Sequence, residues 1–170
     1  QQSGDLEAAE RTYREVLAAQ PQHADALHLL GMIAYQRRRY DSAVDLIRGA
    51  LASNPAAAAY YGNLGVVLKA QGKLGEAMNA YRKAVELNPV YAEAHCNLGN
   101  AYKQQGKIDD AISAYHRALA LKPHFADAHN HLGSALRQQG KLPEAAAACR
   151  QALTLRPDHA EAHLNLGNVL

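Results

Sequence analysis

Nine histidines are the side chains of this chain whose type and spacing first suggest chemistry, because neutral imidazole is a common ligand of zinc and other transition metals. His159 and His163 are four residues apart, which is the spacing of a zinc-binding helix. The string is H-A-E-A-H rather than H-E-x-x-H, however, and His159 is expected in the turn before its helix. His129 and His131 are two residues apart and diverge by about 200° on a helix. The sequence therefore predicts no metal site.

A glycine-containing string from Gly65 to Lys73 resembles a phosphate loop only loosely, because its spacing is G-x6-G-K. Such a loop needs G-x4-G-K-[ST] after a strand, whereas here a helical pattern precedes the string and Leu74 follows it. The two cysteines are too few for a disulfide framework; Cys96 is expected near the exposed side of a helix and Cys149 in the core. No nucleophile–base pairing recurs. The sequence predicts a segment that is not an enzyme and holds no cofactor.

The elements that carry these side chains repeat every 34 residues. His95, His129 and His163 are one period apart, so we expect packed, hydrogen-bonded rings facing a partner helix rather than ligands. Five prolines keep the same period: Pro21, Pro55, Pro89, Pro123 and Pro157. Residues 1–170 are expected to form a single array and a fragment of a longer protein, with a half repeat at 1–23, full repeats at 24–57, 58–91, 92–125 and 126–159, and a partial repeat at 160–170.

Small residues recur at fixed positions of the repeat, where they let helix axes approach closely. Numbered within each repeat, position 8 is Gly31, Gly65, Gly99, Gly133 and Gly167, and position 20 is Ala9, Ala43, Ala77, Ala111 and Ala145. With leucine at position 7 and proline at position 32, these columns resemble the tetratricopeptide repeat (TPR) over the whole chain. The resemblance implies an all-α solenoid of antiparallel helix pairs that winds into a right-handed superhelix, with the first helices lining a concave groove.

Turn residues fix where each helix pair bends. A first helix is expected over positions 1–14 and a second over positions 17–30, and proline at position 32 ends the second. Glycine at position 15 supplies the left-handed turn between them in four repeats, at Gly4, Gly72, Gly106 and Gly140. Arg38 replaces that glycine in repeat 24–57, so a strained or differently shaped turn is expected there.

Charge and hydropathy limit the classes of partner. The net charge of +2 is nearly balanced, which argues against a nucleic-acid or membrane surface. The run Arg37-Arg38-Arg39 is expected to be solvated helix-end surface rather than a phosphate site. No apolar run approaches the roughly 20 residues that a membrane span needs. With only two cysteines, a reducing, cytoplasmic location is expected.

One face of the first helices is the candidate binding surface. Positions 2, 6, 9 and 13 fall within about 60° of each other, opposite the buried stripe, and the TPR resemblance places them in the concave groove. The residues expected to bind peptide there are Asn63, Glu93, Asn97, Asn100, Gln104, Asp127, His131, Gln138, Asn165 and Asn168. An apolar patch is expected at Leu29, Met32 and Val66.

Asparagine recurs at position 6 in three repeats, as Asn63, Asn97 and Asn165. An asparagine amide can pair with both the N–H and the C=O of an extended peptide without reading its side chains. This row, with the string NLGN at 97–100 and 165–168, resembles the asparagine ladder in the TPR arm of O-linked N-acetylglucosamine transferases. The alternative is that Asn-Leu-Gly is common repeat consensus whose amide makes local hydrogen bonds.

The partner implied by this face is a protein or an extended peptide segment, so the chain is expected to be a scaffold-type interaction module. The alternative function is the substrate-recognition arm of a glycosyltransferase similar to that family, with a catalytic domain outside this chain. The last segment carries apolar side chains at Leu164, Leu166, Val169 and Leu170, so self-association through uncapped repeat ends is also expected.

Overall fold

The structure, a computed structural model, describes residues 2–170, with side chains from residue 6 onward, and consists of two compact units. The described residues form helices and no strand, which confirms the predicted all-α fold. The first unit ends at Pro89 and contains α1 (Gln2–Ala19), α2 (Ala24–Gln36), α3 (Tyr40–Ser53), α4 (Ala58–Ala70) and α5 (Leu74–Leu87). The second unit, Val90–Leu170, contains α6 (Ala92–Gln104), α7 (Ile108–Leu121), α8 (Ala126–Gln138), α9 (Leu142–Leu155) and α10 (Ala160–Gly167).

Helices pair within each repeat, because a turn of three residues brings each second helix back against its first. The main contacts are α2 with α3 and α4 with α5 in the first unit, and α6 with α7 and α8 with α9 in the second. First helices of successive repeats are also in contact: α2 contacts α4, and α8 contacts α10. One predicted turn is wrong: Gly4 lies inside α1, because the residues before it continue the same helix. Gln1 lies outside the described residues.

The core of each unit is built from positions 20, 24 and 27 of the second helices. In the four full repeats these side chains are completely buried: Ala43, Ile47, Ala50, Ala77, Tyr81, Ala84, Ala111, Tyr115, Ala118, Ala145, Cys149 and Ala152. The corresponding side chains of α1, Ala9, Tyr13 and Val16, are only partly buried. The core position predicted for Cys149 is confirmed.

Glycine at position 8 is required by close approach. A Cβ on Gly65 would lie 2.5 Å from the ring of Tyr81, and one on Gly99 would lie 2.6 Å from the ring of Tyr115. A Cβ on Gly167 would meet nothing within 4 Å among the described residues, because α10 has no following helix to pack on it there. The small residue therefore lets the large residue at position 24 reach the first helix.

The turn at Arg38 shows the expected strain. Gly72, Gly106 and Gly140 take φ values of 79°, 76° and 76°, and Arg38 takes a φ of 58°, in the region that favours glycine. The Arg39 N–H donates to the Ala34 carbonyl at 2.9 Å, as its counterparts do in the glycine turns. An arginine therefore occupies the same turn that the other repeats form with glycine.

A buried carboxylate ties α1 to this turn. Glu10 is 8% exposed and forms ion pairs with Arg14 at 2.6 Å, with Arg37, and with Arg39 at 3.6 Å. A buried charge is tolerated only when it is paired, and three guanidinium groups do this here. Arg37 and Arg39 are exposed, as expected for the arginine run, but they also pair with Glu10.

Candidate functional site

The side chains of the face predicted to bind a partner differ in exposure: some are exposed, others half-buried or buried. In the first unit Leu29 is 38% exposed, and Met32, Asn63 and Val66 are half-buried. In the second unit the exposed members are Gln104, Gln138 and Asn168, the half-buried members are Glu93, Asn97, Asn100, Asp127 and His131, and Asn165 is buried. The hydrogen bonds of these side chains decide which of them remain available to a ligand.

A polar seam joins α2 to α4 in the first unit. Asn63 donates from its amide nitrogen to Nε2 of His28 at 2.8 Å, and the His28 ring stacks on Tyr60 with 4.3 Å between centroids. The Tyr60 hydroxyl donates to Asp25. Burial lowers the pKa of His28, against the raising influence of Asp25, so the ring is neutral and its Nε2 can accept. Burial, and then the bond to Asp25, raises the pKa of Tyr60 to about 12.

The equivalent seam joins α8 to α10 in the second unit. Asn165 donates to Oδ1 of Asn130 at 2.8 Å, and these side chains are 8% and 0% exposed. In both seams position 6 of one repeat bonds to position 5 of the repeat before it. This role of position 5 was not predicted, although a polar residue at position 5 followed by asparagine at position 6 of the next repeat is a sequence signal for it.

Position 5 is buried in α2, α6 and α8 because each of these helices packs against the next first helix of its own unit as well as against its own partner. His28 and Asn130 lie in this interface, and Cys96 at the same position is 3% exposed. The prediction that Cys96 lies near the exposed side was therefore wrong.

The acidic side chains of the face are neutralised by their own repeats. Lys122 donates to Glu93 at 2.6 Å, and this bond lowers the pKa of Glu93. Arg156 forms a bidentate pair with Asp127 at 2.9 and 3.2 Å, and His159 lies 3.1 Å from the same carboxylate. Burial opposes ionisation of Asp127, but Arg156 and His159 outweigh it and the pKa is lowered.

Asn100 forms a hydrogen bond with a tyrosine of the core. Its Oδ1 accepts a hydrogen bond from the Tyr115 hydroxyl at 2.7 Å, which satisfies a completely buried phenol. In the preceding repeat Val66 holds the equivalent position, and the buried Tyr81 hydroxyl has no hydrogen-bond partner among the described residues. Burial raises the pKa of both tyrosines.

Asn97 is the position-6 amide that remains unpaired. It is half-buried and makes no side-chain hydrogen bond in the described part of the chain. Its donors and its acceptor can therefore face a ligand. The row of three asparagines thus contains two side chains that join repeats and one that is available.

Two of the histidines at position 4 form hydrogen bonds to the backbone of the preceding loop. Nε2 of His129 donates to the Pro123 carbonyl at 2.9 Å, and Nε2 of His163 donates to the Pro157 carbonyl at 2.8 Å. The predicted hydrogen bonding is confirmed, but His129 is only half-buried and His163 is exposed, because each ring reaches back to the loop before its own helix. Over residues 6–170 no group of three His, Cys, Asp or Glu side chains is placed to hold a metal ion.

None of the described helices combines the length and the apolar character that crossing a bilayer requires. Models of the tetratricopeptide repeat match most of the chain. The model described as Tetratricopeptide repeat matches residues 1–58 and 96–160, and one described as TPR repeat matches residues 67–106. No curated protein sequence gives a significant match.

Solved structures with similar folds include two that are described as TPR proteins. The crystal structure of MamA is 29% identical over 94% of this chain and 94% of its own, with a TM-score of 0.80. YrrB, described as a TPR protein with an unusual peptide-binding site, is 25% identical over 96% of this chain and 84% of its own, with a TM-score of 0.76. The Thermus thermophilus protein TTC0263, described as a thermophilic TPR protein, is 24% identical over 98% of this chain and 91% of its own, with a TM-score of 0.76, and shares the fold.

Proposed function

This chain belongs to the tetratricopeptide repeat family, and from that premise we propose that it works by binding rather than by catalysis, holding an extended segment of a partner protein along its first helices. The similarity to YrrB, which is described as having a peptide-binding site, supports a peptide as the partner. The observation that carries the proposal is the unpaired amide of Asn97 on the predicted face.

Asn97 differs from its counterparts in the same column. Asn63 and Asn165 bond to position 5 of the preceding repeat, whereas the amide of Asn97 keeps its hydrogen-bonding groups for a ligand. A peptide backbone presents one N–H and one C=O per residue, and one asparagine can satisfy both. Asn97 is therefore the side chain that we expect to fix the register of the bound segment.

Apolar contact must supply part of the affinity. Two neutral hydrogen bonds contribute about 1–3 kcal/mol together, while a millimolar complex already needs about 4 kcal/mol. In the first unit Leu29 is 38% exposed, and Met32 and Val66 are half-buried on the same face. Covering one leucine-sized side chain adds about 1.5–3 kcal/mol. The segment bound by this unit is therefore expected to carry an apolar residue.

Peptide display against the whole chain, followed by titration of the selected peptides, tests the proposal. Asn97→Ala is expected to weaken binding about tenfold, the effect of losing about 1.4 kcal/mol of hydrogen bonding. The matched control is Asn79→Ala, which removes an exposed amide from the second helix α5. Equal affinities of the wild type and Asn97→Ala for every selected peptide would show that the Asn97 amide does not bind the peptide, and would contradict the proposed binding mode.

A glycosyltransferase arm is the second candidate, favoured by the NLGN strings at 97–100 and 165–168. In the second string Asn165 is engaged with Asn130, so this candidate also depends on Asn97. Assay of the natural full-length protein for transfer of N-acetylglucosamine to peptides decides between the candidates. Transfer that Asn97→Ala slows would favour the arm, and no transfer would favour the scaffold.

Self-association is also proposed, through the end of the second unit. Leu164 and Leu170 are 65% and 84% exposed, so their apolar area is accessible to a second copy of the chain. Light scattering at high concentration is expected to show a mass above that of one chain, and Leu164→Ser should lower it. A strictly monomeric wild type would count against this contact.

A further inference from the structure

We propose that the first unit carries a phosphate-binding site at the turn between α2 and α3, formed by Arg38, Arg39 and Lys73, and that it takes a phosphorylated side chain of a protein partner. These residues are separate from the peptide-binding face. The inference that the phosphate belongs to a protein rests on the proposed function. The inference that the site binds a phosphate group rests on the geometry alone.

The three cations line one surface cavity of about 540 Å³. Its wall also includes the first residues of α3, from Tyr40 to Ser42. Asp41 is the one carboxylate in this lining, so basic groups outnumber acidic ones by three to one. Such a concave, positively charged wall attracts an anion.

Two of the three cations are uncommitted, and the third is shared with Glu10. Arg38 and Lys73 are exposed and form no hydrogen bond or ion pair through their side chains in the described part of the chain. Arg39 reaches its carboxylate partner Glu10 only at 3.6 Å. Asp41 accepts a hydrogen bond from the Gln71 amide at 2.7 Å, which holds this carboxylate without consuming a cation. The positive charges of Arg38 and Lys73 therefore remain available.

The backbone at this turn differs from the glycine turns. In those turns the N–H of Leu74, Ile108 or Leu142 donates to the carbonyl of the position-15 glycine at 3.0 Å. Among the described residues, the Tyr40 N–H makes no such backbone bond, and α3 has no side-chain cap. Tyr40–Ser42 line the cavity, and the N–H groups of this first turn of α3 have no capping partner among the described residues, which favours a bound anion beside the cations.

Arg38 holds its place at the cost of backbone strain, because its φ of 58° suits glycine. Strained residues cluster at functional sites, and a guanidinium matches a phosphate in geometry and charge. The equivalent turn of the second unit, Gly106 and Lys107, lacks the arginines and is followed by Asp109 and Asp110. The proposal departs, for Arg38 and Arg39, from the sequence expectation that the arginine run is not a phosphate site.

Backbone amide NMR of the whole chain tests the site. The probes are a neutral peptide with one phosphoserine, its unphosphorylated twin, sodium phosphate and single-stranded RNA, all at constant ionic strength. Phosphopeptide and phosphate are expected to shift the amides of Tyr40–Ser42 in a saturable way, with the phosphopeptide binding tighter. The unphosphorylated twin is expected to leave these amides unchanged.

The decisive variant is Arg38→Gly, because it restores the residue that the other turns use and should fold at least as well as the wild type. It is expected to weaken phosphopeptide binding about tenfold, and Lys73→Gln should act in the same direction. Lys107→Gln, in the equivalent turn of the second unit, is the control and should leave binding unchanged.

Unchanged binding by Arg38→Gly, or no saturable shift at Tyr40–Ser42, would overturn the site. Equal affinity for phosphate and phosphopeptide, or tighter binding of RNA, would overturn the assignment of a protein partner. Asn97→Ala should not affect phosphopeptide shifts at this turn. Failure of the peptide-binding face and failure of the phosphate site are therefore distinguishable.

Discussion

Asn165 donates its side-chain amide to the amide oxygen of Asn130 across 2.8 Å, and both groups are buried between α8 and α10. Asn63 makes the same connection to His28 between α2 and α4. An asparagine at position 6 is therefore a link between repeats wherever position 5 of the preceding repeat offers an acceptor.

Asn165→Ala is expected to lower stability, because it leaves the buried Asn130 oxygen without a donor. The cost of such an unsatisfied group is about 1–3 kcal/mol. Asn97→Ala removes an amide without a partner and should change stability by less than about 0.5 kcal/mol. Urea unfolding followed by circular dichroism gives both values, and equal effects of the two substitutions would contradict the different roles assigned to them.

The two buried phenols should respond differently to loss of the hydroxyl. Tyr115→Phe breaks the bond to Asn100 and is expected to cost about 1 kcal/mol, whereas Tyr81→Phe removes an unpaired buried hydroxyl and should be neutral or stabilising. Val66→Asn places an amide where Asn100 lies in the next repeat. Val66→Asn should change the free energy of unfolding more favourably in the wild type, where the Tyr81 hydroxyl can bond to the new amide, than in Tyr81→Phe. Thermal unfolding of the wild type, the two single variants and the double variant measures this coupling.

Arg38→Gly is expected to raise the free energy of unfolding by about 1 kcal/mol, because it relieves a left-handed conformation that an L side chain disfavours. Gly106→Ala introduces the same left-handed strain and should lower the free energy of unfolding. Because a Cβ at Gly106 meets nothing within 4 Å, this loss measures the backbone strain without a steric clash. Differential scanning calorimetry compares the two. A lower melting temperature for Arg38→Gly would mean that the arginine contributes contacts that outweigh its strain.

Stability of the first unit should fall on acidification because of His28. Burial lowers the pKa of His28 in the folded state, so the unfolded chain binds a proton more readily. The stabilisation is complete above the unfolded value of about 6.5 and is lost as the pH falls from there toward the lower folded value.

Urea midpoints at pH 7.5 and pH 5.5 measure this loss, and His28→Asn, which copies the residue at position 5 of α8, should show a smaller one. The paired acids, including Glu93, titrate at lower pH because their pKa values are lowered, and so do not obscure the comparison. An identical change in the wild type and His28→Asn would exclude the histidine as its source.

Local signals in the sequence were enough to predict the helix pairs. The period of 34 residues, the position-15 turns and the small residue opposite Tyr81 or Tyr115 each follow from one repeat considered alone. Even the strain at Arg38 was predictable, because it replaces a glycine whose conformation the turn requires.

The polar seams were not predictable by the same reasoning. A helical wheel drawn for one repeat places Cys96 at the surface, because it ignores the first helix of the following repeat, α8, which packs over position 5. Likewise the partners of Glu10 lie beyond the next loop, at Arg37 and Arg39, and no periodicity connects them. Side-chain contacts between elements, rather than helix positions, were the missing information.

The chemistry of the seams also makes the repeats non-interchangeable. His28 and Asn130 supply an imidazole and an amide acceptor at position 5 of their repeats, whereas glycine and cysteine hold this position in repeats 58–91 and 92–125. Shuffling the repeats would preserve the consensus glycines and prolines yet place a position-6 asparagine after a repeat that lacks such an acceptor. Evolution by duplication of such an array would therefore be expected to copy adjacent repeats together rather than one at a time.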